Sequence, residues 1–175
     1  MAKATAPLFS IEASGQLART LVYDRRGFVR QYVIPANPKT NDQADVRYPF
    51  LGVAAVTGQV GPTAKSHIKQ AAEKEGATTY RWNAYLVGKA LAGDYWDTKG
   101  TGFDHMEPSG KDAWETAAQN AGVTVHSLGY GTEPDHLAGR ALWVVAWAMR
   151  ERLDIGPDQD PNQGNATAWA NYITS

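Results

Sequence analysis

A chain of 175 residues, 43% hydrophobic and 20% charged, can bury one domain-sized core, or two small helical units sharing one, and has enough apolar surface to offset the entropy of ordering. The absence of cysteine excludes a disulfide framework and thiolate metal sites, and the longest apolar run, nine residues over 141–149, falls far short of the roughly 20 that a membrane-spanning helix needs. The net charge of -1 conceals a split: residues 1–90 hold twelve Lys and Arg against six Asp and Glu, and residues 91–175 hold five against twelve.

One reading of that split is ordinary variation in a solvated surface. The sharper one is that the basic part of one copy meets the acidic part of the next, which favours head-to-tail rings or lattices. Spread over 90 residues, the basic excess is dilute beside a phosphate-binding surface, which argues against nucleic acid as the partner. The start carries Lys3 with no apolar stretch behind it, so no secretory signal is expected, and the lack of cysteine suits a reducing cytosol.

Residues 1–14 have no periodicity and read as an arm that orders only on contact. Residues 17–23 and 28–34 are rich in β-branched and aromatic types, and between them Asp24, Arg25, Arg26 and Gly27 form a turn in which Gly27 supplies the positive φ. This predicts an antiparallel β-hairpin over 17–34. A lone two-stranded hairpin is marginal in water, so it is expected to pack on helical hairpins, to join strands of another subunit, or both.

Pro35 and Pro38 end the second strand, and Thr40 or Asn41 caps a helix over about 41–60 with Asp42 at its positive end. Pro49 is expected to end or kink this helix, making residues 48–60 a second short one. Helices follow over about 62–75, opened by Pro62 and stopped by Gly76, and over 79–92, with Tyr80, Ala84, Val87 and Leu91 on one stripe. Residues 93–110 lack a helical period and read as a long central loop carrying Tyr95, Trp96, Phe103 and Met106.

A helix over 108–121 is closed by Gly122. The longest, 135–153, carries Leu142, Ala146, Met149 and Leu153 on one stripe, widened by Trp143, Val144 and Trp147 until most of it is apolar, so it is expected at the centre of the core. Residues 157–175 read as a tail in which 166–173 form a last short helix. The expected organisation is therefore an arm, one mainly α domain over 15–156 with the hairpin at its start, and the tail. The order of helix, glycine stop, loop and apolar helix occurs around 62–92 and again around 108–153, which an internal repeat would explain.

The chemistry-bearing residues are scattered. His67, His105, His126 and His136 form neither a His-x-x-x-His pair nor an H-E-x-x-H helix, and the clusters Asp104, His105, Glu107 and Glu133, Asp135, His136 lack a cation-loop pattern. Glu73, Glu75, Glu107, Glu115 and Glu133 are the carboxylates that a glycosidic-bond hydrolase would draw on, but no pair is selected by spacing. No phosphate loop, dinucleotide fingerprint or nucleophile elbow is present. The expectation is no catalytic residues, no cofactor and no metal. Most tryptophans fall on helix stripes, whereas Trp96 and Trp169 lie in the least regular segments and are the aromatic candidates for interface anchors.

Gly27, Val29, Arg30, Pro35, Asn37, Pro38, Thr40, Gln43 and Arg47 form a pattern: a hairpin with a basic glycine turn, a Pro-x-Asn-Pro-x-Thr segment, then a Gln-x-x-x-Arg helix. Over residues 15–95, with the aromatic helix bearing Tyr80, Trp82 and Tyr85, this resembles a module of tailed-phage and prophage proteins of largely unassigned function. Pro49 departs from that pattern. The resemblance implies a virion structural or assembly subunit, made in the host cytoplasm, in contact with copies of itself and with other phage structural proteins, and brings no catalytic residues. It does not separate capsid, neck and tail. The expected contacts are Arg19, Arg25, Arg26, Arg30 and Tyr32 of the hairpin, with Trp96 and Trp169. Two alternatives remain: a cell-wall-degrading hydrolase carried on the particle, and a DNA-binding module using the basic hairpin.

Overall fold

The computed structural model describes the backbone of residues 15–17, 21–23 and 29–31, and both backbone and side chains of residues 39–92, 96, 102–162 and 164–175. The chain divides into two units, Met1–Pro38 and Lys39–Ser175. In the first, β1 (Gly15–Leu17), β2 (Leu21–Tyr23) and β3 (Val29–Gln31) pair antiparallel in that order, with Leu17 opposite Leu21 and Tyr23 opposite Val29. The turn expected at 24–27 and the side chains of Arg19, Arg25, Arg26, Arg30 and Tyr32 lie outside the described residues.

The second unit is mainly helical. Helix α1 (Asn41–Gly58) starts at Thr40, whose hydroxyl accepts from the Gln43 N–H at 3.4 Å, with Asp42 in its first turn. It runs unbroken through Pro49, so residues 48–60 are not a separate helix. Interior proline costs about 3 kcal/mol or more. Here Ala44 and Tyr48 before it and Gly52, Val53 and Val56 after it are all buried, so packing on both sides of the proline fixes one continuous element. A Cβ on Gly52 would stand 2.8 Å from that of Ala141, which shows how closely α1 crosses the central helix.

Helix α2 (Pro62–Lys74) has proline in its first turn, where the missing donor costs nothing, and ends before Gly76 at φ +72°. A 3-10 turn over Thr79–Arg81 leads into α3 (Trp82–Ala92). Helix α4 (Pro108–Asn120) repeats the design of α2, ending before Gly122 at φ +75°. Helix α5 (Leu137–Trp147) begins only after His136, whose left-handed φ of 53° keeps the helix from starting at the expected residue 135. A π-helical turn over Ala148–Arg152 extends it. Every residue from Leu137 to Ala146 is buried, and α5 packs on α1, α3 and α4.

Helix α6 (Ala166–Thr174) is no loose tail. Residues 157–175 belong to the same unit, which begins at Lys39 rather than at the expected residue 15. Three indole N–H groups explain why: Trp114 of α4 donates to the Asn162 carbonyl at 3.2 Å, Trp143 of α5 to that of Pro161 at 3.1 Å, and Trp169 of α6 to that of Gln159 at 3.0 Å. The backbone of 159–162 thereby satisfies the polar atoms of three buried rings. The end of α6 in turn caps α2, since the Gly61 N–H donates to the Ile173 carbonyl at 2.9 Å and that of Thr63 to the Ser175 carbonyl at 2.8 Å.

The one charge inside α5 is Arg140, which is 6% exposed. Its guanidinium bonds both oxygens of Asp104 and the Trp96 carbonyl, and lies over the rings of Trp96 and Phe103. It thus ties the described part of the central loop to the core. The hydrogen bond from Arg140 holds the Asp104 carboxyl below its ordinary value of 3.8. Because the folded value is depressed, its stabilisation is complete above the ordinary carboxylate range and disappears as pH falls through the folded value. Asp104→Asn is therefore expected to lose about 1 kcal/mol at pH 7, modest because Asp104 is half in water. Urea titrations of both chains should converge as pH falls below the ordinary carboxylate range.

Candidate interaction surface

Surface helices are apolar on one stripe and polar on the other. Helix α1 breaks that pattern. Its inner side buries Tyr48, Val53 and Val56, yet its outer side presents Val46, Phe50 and Leu51, which are 74%, 54% and 37% exposed. Ala54 and Gly58 continue the exposed side toward the end of the helix, and its one charge from residue 46 onward is Arg47. That guanidinium is engaged by the Tyr130 hydroxyl and lies near its ring.

Helix α3 packs beside α1 and carries a similar face. Leu86 and Ala90 are buried, while Ala84, Gly88 and Leu91 are exposed and Val87 is half-buried. Between the two helices lies a groove of about 810 Å³, lined by Phe50, Ala54 and Gly58 on one side and Trp82, Ala84 and Gly88 on the other. Lys65 of α2 is the one charge among the described lining residues, and its ammonium sits 5.2 Å from the centre of the Trp82 ring. Such a surface is hydrated at a cost that contact with another apolar surface would relieve.

On the α2 side the face is bounded by a polar seam. Lys89 bonds Glu75 at 2.8 Å and lies over the Tyr85 ring. The Lys89 hydrogen bond lowers the Glu75 carboxyl, and burial, then the adjacent Glu75 carboxylate, push the Tyr85 phenol up to about 12. Tyr85 is thus neutral and Glu75 ionised across the physiological range. The seam gives the apolar face a fixed border.

Set against protein-family models, curated protein sequences and solved structures, the chain matches none.

Of the candidate interface residues drawn from the sequence, the two whose side chains the structure describes fall elsewhere. Trp96 and Trp169 are 9% and 0% exposed, so they are core residues rather than surface anchors. For Trp169 the irregular segment before it supplies the indole's acceptor, and for Trp96 the Arg140 guanidinium covers the ring. The histidines are separated: His67 meets the Tyr172 hydroxyl at 2.7 Å, and His136 meets Asp112 at 2.9 Å. Among the described residues no three His, Asp or Glu side chains gather as a metal site. Glu115 accepts from the Gly139 N–H at 2.7 Å, capping α5, in a second cleft of about 630 Å³ that Glu133 and Asp135 also line. The exposed side of α1 was missed by the sequence reading. Its signal was a surface helix with large apolar residues all the way round.

Proposed function

We propose that this chain is a structural subunit of a tailed bacteriophage particle, an accessory protein of capsid, neck or tail that works through protein–protein contacts. The observation that carries the assembly role is the outer side of α1, which leaves Phe50 and Val46 in water beside the groove on α3. Standing apolar surface on a folded helix is the usual mark of a docking site. The particle itself is indicated by the motif formed by Gly27, Val29, Arg30, Pro35, Asn37, Pro38, Thr40, Gln43 and Arg47. In this reading the ribbon at residues 17–34 is completed by a neighbouring subunit, with Arg19, Arg25, Arg26, Arg30 and Tyr32 at the contact.

The test is incorporation. Purified particles from a host carrying the wild-type sequence should contain the chain, and the Phe50→Asp variant should be at least about tenfold depleted while keeping the helical circular dichroism of the parent, as expected for a buried interface residue. Equal incorporation of the variant would overturn the role of this face, and absence of the wild-type chain from particles would overturn the assignment.

A further inference from the structure

We infer that Asp104 and Arg140 form a charge latch on residues 102–107, and that breaking the pair lets this segment open by itself while the helices around it stay folded. Phe103 is the plug of the segment. Its ring is 1% exposed and meets Trp143 edge-on at 6.0 Å between centroids and His136 at 6.4 Å. The backbone around it is a single 3-10 turn, Phe103–His105, in which the His105 N–H donates to the Gly102 carbonyl and the Met106 N–H to the Phe103 carbonyl. So short a turn does not hold itself in place. It is held from outside by Lys111 of α4, whose ammonium donates to the Asp104 carbonyl at 2.9 Å, and by Arg140 of α5, which bonds the Asp104 carboxylate.

The two ends of the latch stand in unlike surroundings. The side chain of Asp104 is 61% exposed and that of Arg140 is 7% exposed. Loss of the pair therefore costs little on the carboxylate side, which water receives, and much on the guanidinium side, which is left charged in the core. Among the described residues the Trp96 carbonyl at 3.1 Å is the one other acceptor of the guanidinium, and its Nε is buried with none. The Phe103 ring lies 5.2 Å from that guanidinium, so withdrawing residues 102–107 returns the charge to water without moving α5, which is buried from Leu137 to Ala146. The hydrogen bond from Arg140 keeps the Asp104 carboxyl below its ordinary value, helped by the charges of Lys111 and His105, so the latch is closed at neutral pH. Opening bares the Trp143 ring and the Arg140 charge, which the closed unit hides.

Hydrogen exchange of the full chain at pH 7 tests this, read at the amides of His105 and Met106. Asp104→Asn is expected to speed both at least about tenfold and to leave the amides of α1, α4 and α6 unchanged. In an Arg140→Met background no charge is stranded, and the same Asp104→Asn substitution should not move the two reporters. Arg140→Gln is a second neutral background should the first lose its helical circular dichroism. Unchanged exchange at the reporters would overturn the inference. So would equal acceleration in the helices, which would mean that the whole unit opens together, or the same acceleration with and without the Arg140 charge.

Discussion

Replacing Trp169 by alanine is expected to lower the unfolding free energy by about 4 kcal/mol. The ring is wholly buried, packs edge-on against Tyr172 at 6.1 Å between centroids, and lies so close to Gly156 that a Cβ there would stand 2.3 Å from it. Truncation removes that volume and leaves the Gln159 carbonyl without its indole donor. Trp169→Phe keeps most of the packing but not the N–H, and should cost about half as much. Guanidinium titrations followed by circular dichroism would separate the two: equal midpoints for both variants would refute the packing share, and a Trp169→Phe midpoint equal to that of the wild type would refute the hydrogen-bond share.

The second large effect is expected at Gly139, where α5 crosses α4 in close contact. A Cβ at this position would lie 2.5 Å from the Glu115 nitrogen and 2.8 Å from the Trp114 carbonyl carbon, both backbone atoms that cannot swing aside. Gly139→Ala must therefore push α4 away from α5, straining the Glu115 cap on the Gly139 N–H and loosening Trp114. About 3 kcal/mol of destabilisation follows. The control is Gly88→Ala, which adds the same methyl group to open surface and should gain up to about 1 kcal/mol from helix propensity. Opposite shifts in thermal midpoint are expected. A loss at both positions would mean that helix interior glycines matter here for a reason other than contact.

The local signals that were legible in the sequence are those that need no distant partner. Gly76 and Gly122 end α2 and α4 because positive φ is intrinsic to glycine, and the buried run of α5 is visible as an apolar stretch. What was not legible depends on contacts far along the chain. Trp169 looked exposed because its acceptor lies in an irregular segment ahead of α6, and Pro49 looked like a break because the burial that overrides it comes from α5. Arg140, a charge in the middle of the central helix, gave no sign that Asp104 and Trp96 come to meet it from the preceding loop. The face on α1 escaped for a related reason. Periodicity finds one buried side, and a helix that is apolar on both sides has no contrast to find.

The suspension of three tryptophans from residues 159–162 has a consequence for synthesis. When α4 and α5 leave the ribosome, the donors of Trp114 and Trp143 have no protein acceptor, because the carbonyls that will receive them have not yet been made. Nor can α2 be capped until the last turn of α6 arrives with the Ile173 and Ser175 carbonyls. The helical unit is therefore expected to close late, and a nascent chain halted before residue 159 to leave apolar interior within reach of chaperones.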